Sequence, residues 1–344
     1  MGQYGHLGFK VVINATLLLC MAMVGWSQSL TWLGTLGGWG SYATGVSANG
    51  SVVVGYASTT SGRWHAFRWT ASGGMQDLGT LGGDYSWAYG VSADGSVVVG
   101  RAHDSAGYNR AFRWTVSEGM QDLGTLGGNW GWAYGISADG SVVVGWAGTA
   151  DGRYSAFRWT ASDGMQAIPV VTAFGVSADG QVVVGGADGA LRWTAAEGVQ
   201  SLGTRGGVAF GASADGSVIV GRAWFSPPTQ PGAPGFRYAF RWTQVEGAVN
   251  LGTLGGRYSW AYGVSADGSV VVGSAQNAAG QWRAFRWTQA RGMEDLSAVY
   301  SSLLTDGSYF VEARAISPDG RYIVGMGYNG TSRRAEAFLL DTER

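Results

Sequence analysis

Residues 87–100, Trp87-Ala88-Tyr89-Gly90-Val91-Ser92-Ala93-Asp94-Gly95-Ser96-Val97-Val98-Val99-Gly100, decide the fold. Two short apolar runs flank Ala-Asp-Gly, the composition of a tight β-hairpin turn. Glycine supplies a positive-φ position, aspartate bonds the local backbone, and β-branched valines favour extended chain. The run Val97-Val98-Val99 does not alternate with polar residues, so this strand is covered on both faces. It needs a neighbour on each side.

Repetition supplies the neighbours. The tetrad Ser-Ala-Asp-Gly or a close variant starts at Ser47, Ser92, Ser137, Ser177, Ser213, Ser265 and Ser317, at spacings of 36 to 52 residues. Ala-Phe-Arg-Trp-Thr or a relative follows each copy, at Ala66, Ala111, Ala156, Ala190, Ala239, Ala284 and Ala337. In the second copy Arg110–Thr115 alternates, with Phe112 and Trp114 on one face, and Met120–Gly124 reads as a more polar fourth strand. Four antiparallel strands per unit match one blade of a β-propeller, and seven units predict an all-β, seven-bladed propeller of four-stranded antiparallel blades.

An open solenoid would stack the same way but needs distinct polar caps. The termini favour closure. The last unit stops after its third strand at Leu340, whereas Leu30-Thr31-Trp32-Leu33-Gly34-Thr35-Leu36-Gly37-Gly38 aligns with Met75–Gly83 as a fourth strand with no partners ahead of it. The ring is therefore expected to close by an N-terminal strand, residues 30–35, completing the last blade at 311–340, with residues 30–344 as one propeller domain.

Residues 1–29 read differently, as a signal peptide: Lys10, an apolar stretch Val11–Trp26, then Ser27-Gln28-Ser29. A retained single-span anchor is the alternative. Cys20, the only cysteine, lies in this segment, so a cleaved chain has no thiol for disulfides, thiol catalysis or zinc ligation. The formal net charge is −1 and Lys10 is the only lysine, so no basic stripe points to nucleic acid. The expected location is secreted, extracellular or at the cell surface, with the periplasm also open.

Two interruptions stand out. Four of the six prolines fall in Trp224–Pro234, which reads as a loop. Leu296–Leu304 has apolar residues at 296, 299, 300, 303 and 304, the spacing of a short helix packed on the ring.

The combination of Ala-Phe-Arg-Trp-Thr, Asp-Leu-Gly and Leu-Gly-Gly, with His65-Ala66-Phe67 in the first unit, resembles the HAF-repeat family of extracellular repeat proteins over residues 30–340. The resemblance implies secretion and a propeller-like fold. It brings no defined activity, and because the histidine occurs in one unit only, it lends no histidine chemistry.

No catalytic residue, metal site or cofactor is expected. His65 and His103 belong to different units and have no visible partners for a triad or a metal site. The tetrad aspartates read as turn formers, since the first copy has Asn49 there. Arg68, Arg113, Arg158, Arg192, Arg241 and Arg286 recur at one strand position and are expected to pair between blades with carboxylates such as Asp77 or Asp122, or with backbone carbonyls.

Aromatic residues are more suggestive. In an up-and-down blade, the loop entering the first strand and the loop between the second and third open on one rim. The candidate ligand-binding set on that rim is Trp64, Tyr108, Tyr154, Trp224, Phe225 and Trp282, with ring stacking on sugars or anchoring of a protein as its chemistry. Trp87, Trp132 and Trp260 are regular enough to be inter-blade packing or channel plugs instead. The expected function is a secreted, monomeric, non-catalytic binding module for a glycan or protein. The alternatives are a glycan hydrolase or lyase, drawing on Asp84, His103, Asp104, Asp151 or Glu312, and a purely structural envelope component.

Overall fold

The structure is a computed structural model that describes Gly2 and residues 28–225 and 235–342; most of the expected leader and residues 226–234 of the proline-rich loop lie outside the described residues. Seven four-stranded antiparallel sheets follow one another around a central channel. The protein is a seven-bladed β-propeller. Blade 2 shows the unit: an inner strand Gly82–Val91, a second strand Val97–Asp104, a third strand Asn109–Thr115 and a short outer strand Gly119–Asp122.

The valine-rich second strands are sandwiched as their composition requires, with Val98 and Val99 fully buried. Seven apolar clusters lie at the seven interfaces between consecutive blades. Between blades 1 and 2, for example, Val52, Val54, Ala66 and Leu78 meet Ala88, Val98, Phe112 and Trp114. No blade has a core of its own, so each depends on its neighbours.

Closure occurs at blade 7, whose strands Tyr309–Ile316, Tyr322–Asn329 and Arg334–Asp341 take Ser29–Trp32 as the outer strand. Its register pairs Ser29 with Asp341 and Trp32 with Phe338, so pairing starts one residue before the expected segment and ends earlier. Leu33 and Leu36 then turn into the interface of blades 7 and 1. A buried serine stitches the same seam: Ser41 Oγ accepts from the Ala337 amide at 2.9 Å, as Ser86 does from Ala66 at 2.8 Å and Ser259 from Ala239 at 2.9 Å.

The Asp-Gly turns form a second ring around the narrow end of the channel. The amide of Ala48 donates to the carbonyl of Ala93, Ala93 to Ala138, Ala138 to Ala178, Ala178 to Ala214, Ala214 to Ala266 and Ala266 to Pro318. The seventh link cannot form, because Pro318 has no N–H. The tetrad aspartates are turn formers as expected: Asp94 Oδ1 accepts from Ser92 Oγ at 2.6 Å, Ser96 N at 3.0 Å and Ser96 Oγ at 2.8 Å.

These donors stabilise the ionised carboxylates. The tetrad serine hydroxyl is the leading cause at Asp94, Asp139, Asp179 and Asp267, and the Ser217 amide leads at Asp215; all five carboxyls lie below the ordinary 3.8, Asp139 and Asp267 at about 2. A depressed folded-state pKa adds stability above the unfolded value and loses it as pH falls through the folded one. The unfolding midpoint is therefore expected to hold down to about pH 4 and to drop between about pH 4 and 2. A midpoint unchanged to pH 2, measured by circular dichroism, contradicts this.

Two expectations need correction. The recurring arginines do not reach Asp77 or Asp122, which are held instead by His65 (2.8 Å) and Arg110 (2.8 Å), the residues just before Ala-Phe. Arg113, Arg192 and Arg241 pair within their own blade with Glu118, Glu197 and Glu246, while Arg68 and Arg241 donate through Nε to the turn carbonyls of Gly95 and Gly268 in the next blade, both at 3.3 Å. The carboxylate on the adjacent turn is simply nearer than one across the interface. The expected helix is one short α-turn, Leu296–Val299, followed by a 3-10 turn Ser301–Leu303. Leu296 and Tyr300 are buried, but Val299 is exposed, because the segment breaks after one turn and loses the helical phase.

Candidate functional site

Seven inner strands converge on the axis, and each carries a β-bulge at the same place. The ladder slips between Ala43 and Gly45, Ala88 and Gly90, Ala133 and Gly135, Ala173 and Gly175, Ala209 and Gly211, Ala261 and Gly263, and Ala313 and Ala315. The residue skipped in each case is Thr44, Tyr89, Tyr134, Phe174, Phe210, Tyr262 or Arg314, and all seven line the channel. A bulge leaves one residue out of the pairing and re-aims it. The glycine that follows permits the close approach: a Cβ on Gly175 would lie 2.6 Å from the Phe210 carbonyl of the next blade.

The result is a belt of rings. Tyr89 stacks on Tyr134 (4.9 Å between centroids), Tyr134 lies against Phe174 (5.0 Å), Phe174 against Phe210 (5.6 Å) and Phe210 against Tyr262 (5.7 Å). The Arg314 guanidinium closes the series 4.2 Å from the Tyr262 centroid. Burial pushes the phenols up, Tyr56 to about 12 and Tyr89 and Tyr262 also above the ordinary value. The belt therefore presents neutral hydroxyls at any physiological pH.

At the belt the channel is a cavity of about 570 Å³ that reaches up to Tyr56, Arg222 and Trp260. Cross-strand pairs continue the same inner and second strands toward the mouth: Tyr42 stacks on Tyr56 (5.1 Å), Trp132 on Trp146 (3.8 Å), and the Arg101 guanidinium lies 4.1 Å over Trp87. Arg222 sits 4.8 Å over Trp260. Blade 4 is the low side, with Thr172 and Gly186 in place of large groups and an inner strand of only four residues, Ala173–Val176. Glu312 is the one carboxylate at these inner-strand and facing second-strand positions, and it is held by Arg314 Nε at 2.7 Å. Below the belt, Val46, Val91, Ile136 and their counterparts narrow the channel, and the alanine ring ends it.

The six rim residues singled out from sequence lie at the second-to-third strand junctions, but most are not free loop residues. Trp64, Tyr154 and Trp282 open third strands, Tyr108 immediately precedes one, and Trp224 and Phe225 end a second strand. Trp64 is half-buried among Trp39, Tyr42 and Tyr56, Tyr154 leans on Trp146 at 5.0 Å, and Trp282 covers Trp260 at 4.8 Å. These three continue the channel wall outward. Trp224 is 42% exposed with Arg237 at 5.0 Å from its ring, whereas Phe225 packs partly into the interface of blades 4 and 5, and Tyr108 is exposed by itself.

Sequence reasoning missed the belt and the arginines at 101, 222 and 314. A period-2 count from Trp87 does not reveal that Tyr89 is unpaired. The available signal was the large residue between Ala and Gly in five of seven units, Tyr89, Tyr134, Phe174, Phe210 and Tyr262, with Arg314 between two alanines in a sixth. His103 lies beside Tyr85 and Trp87, where burial lowers its pKa, and His65 is bound to Asp77; the two do not share a site. Among the described residues no cluster of three or more histidines, cysteines or carboxylates is arranged to hold a metal, and no helix is long and apolar enough to cross a membrane.

Fold and mouth together define a propeller with one wide aromatic end and one narrow alanine-lined end. Neither a protein-family model nor a curated protein matches the chain. Solved structures do. The β-propeller domain of the Trilobed protease from Pyrococcus furiosus superposes with a TM-score of 0.60 at 9% identity, covering 88% of this chain and 96% of that one. Hydrazine synthase from Kuenenia stuttgartiensis gives 0.51 at 12%, covering 89% and 96%, and TolB from Acinetobacter baumannii 0.47 at 11%, covering 82% and 76%. The first two share the fold with this chain. The protease domain is described as having an open velcro topology, whereas Ser29–Trp32 closes the ring here.

Proposed function

We propose that this protein is a secreted, non-catalytic binding propeller whose wide mouth takes a glycan. The observation that carries the reading is the continuous aromatic wall from the belt at Tyr89–Tyr262 up through Trp132, Trp146, Trp260 and Trp282. Flat rings with neutral hydroxyls between them suit the apolar faces and hydroxyls of sugars. Secretion is the expectation of the N-terminal segment and of the HAF-repeat resemblance, and the membership in that family is part of the same proposal.

A glycoside hydrolase needs two carboxylates roughly 5–10 Å apart across the scissile bond. Glu312 has no second carboxylate beside it on the wall and is occupied by Arg314, which supports the non-catalytic reading. The test is a glycan array probed with the secreted protein, followed by titration of the best binder. Trp224→Ala is expected to weaken binding by about tenfold while leaving the unfolding midpoint nearly unchanged, since the ring belongs to none of the seven inter-blade clusters. Absence of binding to every saccharide, or turnover of one, refutes the proposal.

A further inference from the structure

Positive charge without a partner is concentrated at the mouth. The chain as a whole is balanced, with 22 basic and 23 acidic residues, and the arginines of the third strands are mostly neutralised by nearby glutamates. Arg222 and Arg237, on adjacent strands of blade 5, pair with no carboxylate among the described residues. Their guanidinium groups lie over aromatic faces instead, Arg222 at 4.8 Å from Trp260 and 5.7 Å from Phe210, Arg237 at 5.0 Å from Trp224. The register places Trp224 opposite Arg237 and Arg222 two residues along the same face. Two like charges kept together without a counterion are costly, and burial together with the Arg237 charge lowers the pKa of Arg222.

Blade 2 repeats the pattern. Arg101 lies 4.1 Å over Trp87 and 5.7 Å over Trp132. Its Nε is buried with no acceptor, and so is Nε1 of Trp260 beside Arg222. Buried donors without acceptors are rare in folded proteins and mark places where something else supplies the acceptor. The wall supplies no counter-charge: its carboxylate, Glu312, is spent on Arg314, and the Tyr89 hydroxyl that bonds Arg101 is neutral.

We propose that the mouth selects an acidic saccharide, with Arg222 and Arg237 taking its carboxylate or sulfate while Trp224 and the outer side of the Trp260–Trp282 pair stack on the sugar rings. The inference rests on the glycan-binding reading and narrows it to one charge class. Arginine forks bond both kinds of oxyanion, and a ring beside each guanidinium provides the flat surface that a saccharide, unlike a free anion, can use. Arg101 lies at the mouth as a further cation for a longer acidic chain.

The experiment is calorimetric titration of the full protein with a tetragalacturonate, its fully methyl-esterified form, a sulfated galactan tetrasaccharide and a hexaglutamate peptide. The acidic saccharides are expected to bind about tenfold or more tightly than the ester, with an affinity that falls as salt rises. Arg222→Gln and Arg237→Gln should each remove most of that preference and flatten the salt dependence, with unchanged unfolding midpoints showing that the fold is intact. The tighter of the uronate and sulfate identifies the anion. Equal affinity for acid and ester, or glutamine variants that bind as the parent does, overturns the acidic assignment while leaving a glycan-binding role standing. Hexaglutamate binding as tightly as the uronate overturns the saccharide. If neither these probes nor any saccharide on the array binds, the glycan-binding role falls with it.

Discussion

Deleting residues 29–36 is expected to destabilise the protein severely and to expose an aggregation-prone edge. The deletion removes the whole outer strand of blade 7 and with it the ladder to Phe338–Asp341. It also removes Trp32, which packs 6.2 Å from both Phe310 and Phe338, and Leu30, Leu33 and Leu36 from the clusters on either side of the seam. At about 1.5–3 kcal/mol for each fully buried side chain, and with three of the four only partly covered, the loss is about 5 kcal/mol, comparable to the total stability of many domains. The third strand of the last blade would then be an unpaired edge, a template for pairing with another chain. Light scattering and thermal unfolding of the deleted form measure both effects. Trp32→Ala should cost roughly 3 kcal/mol, near the low end for truncating a large aromatic, whereas Thr31→Ala on the exposed side of the same strand should fall within about 0.5 kcal/mol of the parent. A deletion with an unchanged midpoint would show that the closure contributes nothing.

This architecture was legible because the units repeat their chemistry. Seven copies of a turn tetrad and a third-strand signature gave the blade count, and the orphan Leu30–Leu36 segment identified the closing strand. What the copies share is structural: the buried valines, the Asp-Gly turn, the Ala-Phe pair at each interface. The site is built from what they do not share. Arg101, Arg222 and Arg314 occupy positions where other blades have Tyr56, Trp146, Tyr89 or Tyr134, and no unit taken alone shows that these face a common axis. The bulge before Gly90 and its counterparts compounds this, because it turns Tyr89 toward the channel in a way that strict alternation does not encode. The rim tryptophans were found because they sit next to turns, but their partners on the inner strands became visible only once the ring was closed. The single-turn helix after Asp295 was over-read for a related reason: its apolar spacing is helical, but Asp295 caps it at Ser297 and Tyr300 ends it after one turn.

Gly95→Val is expected to be strongly damaging, as at the equivalent turn glycines Gly216 and Gly268, for two separable reasons. Gly95 has φ +75°, in the left-handed region where a β-branched residue is strained by about 1–2 kcal/mol. Its missing side chain is also what lets the turn of blade 2 seat on blade 1, because a Cβ there would lie 2.5 Å from Cγ2 and 2.9 Å from Cβ of Val52. Val52 belongs to the buried second strand and cannot swing aside without opening the interface, so overpacking adds about 1–3 kcal/mol. The combined loss is about 4 kcal/mol by chemical unfolding. Gly62→Ala separates the two contributions: its φ is +77°, but nothing lies within 4 Å of the added Cβ, so strain alone should act and the cost should stay near 1 kcal/mol. Double substitution of Gly95→Val with Val52→Ala should recover part of the loss, since the smaller neighbour relieves the contact but not the backbone. If Gly95→Val and Gly62→Ala cost the same, the turn glycine serves its own hairpin only, and the inter-blade fit at Val52 has no part in holding the ring together.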